Sequence, residues 1–129
     1  MAGDLVLAVD TVVALDDRIY GKPEGEVEAR KTLQALSGRT HQVVSGLALS
    51  LDGDLRVATC VTDVTFRSLG DGVLDWYIAT EEWRDRAGGY AIQGRGAALV
   101  RGIDGDYLNV VGLPVATLLD LEPGLLFRR

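Results

Sequence analysis

Apolar positions along this chain recur in two rhythms, strand-like and helical, and the rhythm changes at turn-forming residues. From Leu5 to Leu15 the text is a nearly continuous apolar run, Leu-Val-Leu-Ala-Val-Asp-Thr-Val-Val-Ala-Leu. Such a run predicts a strand buried on both faces over residues 5–9, with residues 12–15 as its continuation or partner. Asp16-Asp17 predicts a turn, and Arg18 to Tyr20 a short return strand. After Pro23 the spacing becomes helical: Ala29, Leu33 and Leu36 share a face, Glu26 and Arg30 stand as an i,i+4 pair, and Gly38 supplies the stop. Two long strands follow, over residues 41–51 and 55–67, joined by a hairpin at Asp52-Gly53-Asp54. In the first, Val43, Leu47, Leu49 and Leu51 form an apolar face. In the second, the apolar phase starts on odd positions (Leu55, Val57, Val61) and ends on even ones (Val64, Phe66), which predicts a β-bulge near Thr62. Asp71 is placed to cap a helix running to about Thr80, carrying Val73, Leu74, Trp76, Tyr77 and Ile78. Residues 81–96, rich in charge and glycine, read as a functional loop leading into a strand over 97–103. Residues 105–114 read as another loop, with a short helix after it to about Leu121. The pattern is that of one α/β or α+β domain spanning residues 1–129.

Composition narrows the function. A chain of 129 residues suits a single core. No apolar run is long enough to cross a bilayer and the first residues lack the form of a signal peptide, so a cytoplasmic protein without a membrane partner is expected. The single cysteine, Cys60, excludes an internal disulfide and suits a reducing compartment. A net charge of −6 argues against a sequence-independent grip on a nucleic-acid polymer. A free nucleotide remains compatible if cations gather in one cleft, usually with a divalent metal. The 16 glycines concentrate after Gly70, where backbone approaches a ligand closely or turns tightly.

Asp10 and Thr11 interrupt the first apolar run. Desolvating an unpaired carboxylate costs several kcal/mol, so Asp10 calls for a metal, a cation or an opening onto solvent. Alternatively, it ends the strand and caps the turn. Lys22 arrives between Gly21 and Pro23, either as a solvated turn lysine or as the cation that, with Asp10, handles a metal-bound phosphate ester. Asp85 and Arg86 read as a surface ion pair of little energetic weight. Gln93, beside Gly94, suits reading the polar edge of a ligand, since an amide both donates and accepts. His41 reads as structural or at a rim, and Cys60 as core packing. Gly94-Arg95-Gly96 lacks the third glycine of a dinucleotide fingerprint, no Gly-Lys-Ser/Thr phosphate loop exists, and one His with one Cys cannot build a zinc site.

Five blocks in order, Ala8-Val9-Asp10-Thr11-Val12-Val13, Gly21-Lys22-Pro23, Leu36-Ser37-Gly38-Arg39-Thr40-His41, Ala87-Gly88-Gly89-Tyr90-Ala91-Ile92-Gln93-Gly94 and Gly105-Asp106-Tyr107-Leu108-Asn109-Val110-Val111-Gly112-Leu113-Pro114, resemble the Maf proteins. These are nucleoside triphosphate pyrophosphatases also named for inhibition of septum formation. The resemblance implies an elongated α/β fold with a bent mixed sheet, helices on its faces and a cleft between two lobes. It also implies hydrolysis of a nucleotide to the monophosphate plus pyrophosphate with Mg²⁺ or Mn²⁺, and a homodimer. Carried over by motif, Asp10 is the proton acceptor or metal-side carboxylate and Lys22 neutralises phosphate charge. Thr11 and Gln93 discriminate substrate, and Asp85 lines the same cleft. Gln93 and the Gly-Asp-Tyr-Leu-Asn-Val-Val-Gly-Leu-Pro loop match members acting on dTTP and UTP, where members preferring methylated guanine nucleotides tend to carry glutamate.

One departure stands out. Maf proteins begin with a strand leading into Ser-x-Ser-Pro-Arg-Arg, and neither the Met1-Ala-Gly-Asp start nor the terminal Arg128-Arg129 supplies that context. The resemblance therefore implies a domain incomplete at its N-terminus. An exposed apolar edge or face and reduced activity would follow, the alternative function being an impaired remnant that binds a nucleotide or a protein.

Overall fold

The computed structural model describes residues 4–127; the termini weighed above, residues 1–3 and 128–129, lie outside them. The elements are β1 (Leu5–Leu15), β2 (Arg18–Tyr20), α1 (Glu26–Leu36), β3 (Thr40–Leu51), β4 (Asp54–Phe66), α2 (Asp71–Ala79), β5 (Val100–Asp104), α3 (Tyr107–Val111) and α4 (Val115–Leu121). The strands form one sheet in the order β2-β1-β3-β4-β5. The α/β character is as expected. Where the resemblance implies a mixed sheet, every pairing among the described residues is antiparallel. The connections explain this: β1 turns back as β2 at Asp16-Asp17, and α1 then returns the chain so that β3 runs against β1.

The β3–β4 hairpin turns on Asp52 and Gly53, at φ 52° and 82°. Two successive positive φ angles match the right-handed twist of the strands, which is why Asp-Gly is favoured there. Pairing then runs without interruption from Leu51↔Asp54 to Thr40↔Thr65. The expected bulge at Thr62 is therefore absent; among the described residues the register shifts only between Thr65 and Phe66, against β5. The phase change has another cause. Thr62, Val64 and Phe66 point into the core, while Leu55, Val57 and Val61 belong to the opposite face and are exposed. Both faces of β4 are apolar, along different stretches.

The core lies on one face of the sheet. Val13 and Leu15 of β1, Val43 of β3, and Val64 and Phe66 of β4 pack with Ala29, Leu33 and Leu36 of α1 and with Leu74, Tyr77 and Ile78 of α2. Farther along the same face, Leu118 of α4 covers Leu47 and Leu49. Arg30 bonds across to Asp75 at 2.6 Å, joining α1 to α2 rather than pairing with Glu26. Asp71 is the first residue of α2, not its cap: Gly70 holds the cap position, with no side-chain bond. The 105–114 segment is also more ordered than expected. Asp106 Oδ1 accepts from Leu108 N at 2.9 Å and starts α3.

The first half of β1 is not the doubly buried strand that its composition predicts. Leu5, Val6 and Leu7 are exposed, and β2 covers only Val13–Leu15, leaving the outer edge of residues 5–12 unpaired among the described residues. Val6 shares a face with Leu55, Val57 and Val61, and these four make an open apolar face, the feature expected above, while Leu5 and Leu7 point to the other side of the sheet. Val57 is 67% exposed, so Val57→Lys should keep the melting temperature within about 2 °C while raising the concentration at which the protein precipitates. Equal precipitation thresholds for the two proteins would show that this face is not the limiting surface.

Candidate active site

The carboxylate that looked costly in an apolar strand has a simple resolution. Asp10 is exposed, on the stretch of β1 whose outer edge is unpaired among the described residues, and it opens onto a cleft of about 200 Å³. Thr11, the next residue, points to the covered side, where its Oγ1 lies 2.8 Å from Ser45 Oγ. That bond fixes the Thr11 rotamer against a fully buried Ser45. The turn after β2 delivers Lys22 to the same cleft, and buried Pro23 anchors it.

A second wall comes from the segment after α2. Asp85 adopts φ 58°, a left-handed turn that aspartate tolerates, and Asp85, Arg86 and Ala87 line the cleft. Gly88 N donates to Gly21 O at 3.1 Å, tying this wall to the Lys22 turn. Gly88 itself has φ 73°, and a Cβ there would lie 2.6 Å from Val13 Cγ2, so glycine alone lets the two walls approach this closely. The expected Asp85–Arg86 ion pair does not form. Lys22 and Arg86 both have no ion pair among the described residues and stand available in the cleft.

Tyr90 forms part of the cleft wall, and its hydroxyl lies 2.7 Å from His41 Nε2. His41, Phe66 and Tyr90 stack edge-to-face with centroids 4.8–5.5 Å apart. His41 is completely buried, so the structural reading of it holds and the rim reading does not. Burial holds its pKa down to about 4, against a smaller upward pull from Asp63. The same burial pushes the Tyr90 phenol well above its ordinary value, with a smaller contribution from Tyr77. The pair beneath the cleft is therefore uncharged near neutrality.

α3 closes the far side. Asn109 is fully buried, and its Nδ2 donates to Val43 O at 3.0 Å and to Thr62 Oγ1 at 3.0 Å. This pins α3 to β3 and β4 and sets Val110, Val111 and Gly112 along the cleft. Cys60, half-buried, contributes its carbonyl to the same asparagine at 3.3 Å.

Gln93 is exposed and lines the cleft from a turn over residues 91–96. Tyr77 and Glu82 hold that turn. Ala91 N donates to Tyr77 Oη at 2.8 Å, and the phenol donates to Glu82 Oε1 at 3.2 Å. Glu82 also accepts from Arg95 N at 3.0 Å and Gly96 N at 3.2 Å. Partial burial pulls the Glu82 pKa up, but the bonds from Arg95, Gly96 and Tyr77 outweigh it and hold the carboxyl below its usual value.

All five residues singled out by sequence, Asp10, Thr11, Lys22, Asp85 and Gln93, thus line one cleft. Arg86 was read only as a surface partner of Asp85, and Tyr90 and the Asn109 anchor were not singled out. For α3 a signal existed, an aspartate ahead of an apolar run. Among the described residues no three His, Cys, Asp or Glu side chains cluster as a metal cage. Two exposed carboxylates, Asp10 and Asp85, do face the cleft. Hard oxygen donors in that number fit Mg²⁺ or Mn²⁺, since Mg²⁺ is usually held by one or two carboxylates together with substrate phosphates and water.

The family model for Maf-like proteins matches residues 1–122 of this chain. The chain belongs to the Maf-like family. Among curated proteins, a dTTP/UTP pyrophosphatase of Pyrococcus furiosus is 50% identical over 118 residues, covering 92% of this chain and 62% of its own length. One from Bacillus cytotoxicus is 49% identical over 115 residues (89% and 60%), and one from Chromobacterium violaceum 47% over 110 residues (85% and 56%). This Maf-like chain spans about three fifths of the length of the curated relatives it matches. Four of the Maf-like blocks each contribute to the cleft wall, through Asp10, Lys22, Gln93 and Val110 among others.

Proposed function

We propose that this Maf-like chain binds dTTP and UTP in the cleft and hydrolyses them to the monophosphate plus pyrophosphate, a house-cleaning reaction on the cytoplasmic nucleotide pool. The observation that carries this is the convergence of two uncommitted cations, two carboxylates and an exposed amide on one cleft. The pyrophosphatase names of the relatives support it.

Hydrolysis to these products forms a bond from water to the α-phosphorus and breaks the bond to the bridging oxygen, which leaves with its electron pair as pyrophosphate. Asp10 orients the water and accepts its proton. Lys22 and Arg86 sit against the phosphates and offset their charge. Gln93 presents a donor and an acceptor to the base edge, matching the imide N–H and carbonyl of thymine and uracil. Thr11, fixed by Ser45, borders the same subsite. A divalent cation held by Asp10, with Asp85 as a second oxygen ligand, would neutralise triphosphate charge when bound. A homodimer is part of the proposal.

A second reading has a specific observation behind it: the chain matches only part of its relatives' length. It is then a binding module for nucleotide without turnover. Calorimetric titration with dTTP, UTP, CTP and GTP in Mg²⁺, beside a pyrophosphate-release assay and size-exclusion chromatography, separates the two. Pyrimidine-selective binding with release supports the enzyme; binding without release favours the module; no binding removes both. Lys22→Ala should weaken binding by about 1.5–3 kcal/mol, roughly ten- to hundredfold, the usual worth of a hydrogen bond to a charged group. An unchanged dissociation constant would take Lys22 out of the phosphate subsite.

A further inference from the structure

We infer that Glu82 and Tyr77 are positioning residues that lock the 91–96 turn and so determine how strictly Gln93 discriminates between pyrimidine bases. The inference rests on the nucleotide reading above and extends it to two side chains that do not line the cleft.

A glutamine is a poor discriminator by itself. Its amide can rotate, exchanging donor for acceptor, and its backbone can shift; either change lets it serve cytosine as well as uracil. Strict reading requires the turn to be held, because rejecting the wrong base depends on leaving a polar group unpaired in a site that cannot adjust. The turn is held at both ends by one hydrogen-bonded chain. Ala91 N–H donates to Tyr77 Oη (2.8 Å), whose proton goes to Glu82 Oε1 (3.2 Å), while Glu82 accepts Arg95 N–H (3.0 Å) and Gly96 N–H (3.2 Å). Gln93 lies between these anchors.

The anchors are themselves well fixed. Tyr77 is fully buried in α2. The Glu82 backbone is fixed as well: its N–H donates to Thr80 Oγ1 at 3.2 Å, and Thr80 Oγ1 donates to Tyr77 O at 2.6 Å. Gly94 lies so close that a Cβ would meet the Glu82 carboxylate at 2.7–2.9 Å. A glycine there is what lets the carboxylate reach both amides. The backbone φ of Gly94 imposes no such need, so the requirement is spatial.

Glu82→Gln is the direct test. Oε2 accepts from Arg95 N–H and Oε1 from Gly96 N–H, backbone donors that cannot reverse, so an amide nitrogen in either place faces an N–H. Gly94→Ala is the second variant; its methyl displaces only the end of a flexible side chain, leaving the core untouched. Affinities of α,β-methylene dUTP and dCTP are measured calorimetrically for wild type and both variants, with amide hydrogen exchange at Arg95 and Gly96 in the nucleotide-free protein. Expected is a fall of about tenfold in the dUTP/dCTP affinity ratio in both variants. Exchange at the two amides should rise by at least tenfold, with core amides unchanged. Glu82→Asp, which keeps the acceptors, should restore part of both. A wild-type ratio retained in the variants, with faster exchange, overturns the inference and leaves the nucleotide reading standing. A wild type that binds neither analogue removes that reading, and this inference with it.

Discussion

Replacing Asp10 by asparagine should lower pyrophosphate release from dTTP by a factor of about 10²–10³, with little change in stability. Asp10 is an exposed residue midway along β1, on the part whose outer edge is unpaired among the described residues, lining the cleft that also holds Lys22 and Arg86. Asparagine has the same size and keeps one acceptor oxygen, so the strand and its pairing to Gly46 are undisturbed. A surface change of this kind ordinarily moves stability by no more than about 0.5 kcal/mol. What disappears is the negative charge and the capacity to take a proton from water. General-base catalysis is worth about 10²–10⁴ in rate, and that part of the loss falls on kcat. Steady-state kinetics with a thermal melt on the same sample checks this. A variant with wild-type kcat would show that the proton leaves by another route.

Acid should destabilise the protein through His41, the sole histidine of the chain. Its imidazole is buried beneath the cleft against Phe66 and Tyr90 with a pKa held at about 4, whereas in the unfolded chain it titrates near the reference value of about 6.5. Above that value both states are neutral and pH has no effect through this group. Between the two values the unfolded chain binds the proton and the native state resists it, so stability falls as pH falls. The loss approaches roughly 3 kcal/mol near pH 4 and then levels off as the native imidazole also protonates. Having one histidine makes the test unambiguous: a single imidazole resonance followed by NMR should stay neutral down to about pH 4. Denaturant melts should show the same drop, reduced in His41→Gln. A native midpoint near 6.5 would contradict the burial argument.

The parts of the fold that could be read in the sequence are those fixed by short-range rules. Asp52-Gly53 demands a hairpin because few other pairs take two positive φ angles, and the 29/33/36 spacing demands a helix face. The parts that could not be read turn on which face meets what. Leu55, Val57 and Val61 are as apolar as Val64 and Phe66, yet they face outward, and alternation cannot tell a core face from an uncovered one. That ambiguity produced the expectation of a bulge. A five-residue helix such as α3 is too short for periodicity, so only its Asp106 cap could announce it. In the site, Asp10, Thr11, Lys22 and Gln93 were legible because each is polar in an apolar or glycine-bound setting. Tyr77 and Glu82 were not, because their meaning lies in bonds to backbone amides thirteen or fourteen residues away.

The central claim is that this cleft directs water to the α-phosphorus of a pyrimidine triphosphate. The most direct measurement is hydrolysis of dTTP in H₂¹⁸O with Mg²⁺, with the products identified by ³¹P NMR and mass spectrometry. Expected are dTMP and pyrophosphate in equal amounts, the heavy oxygen residing in dTMP, and loss of both products in Asp10→Asn. Orthophosphate with dTDP, label in the pyrophosphate, or a folded chain that binds dTTP and never turns it over would contradict it.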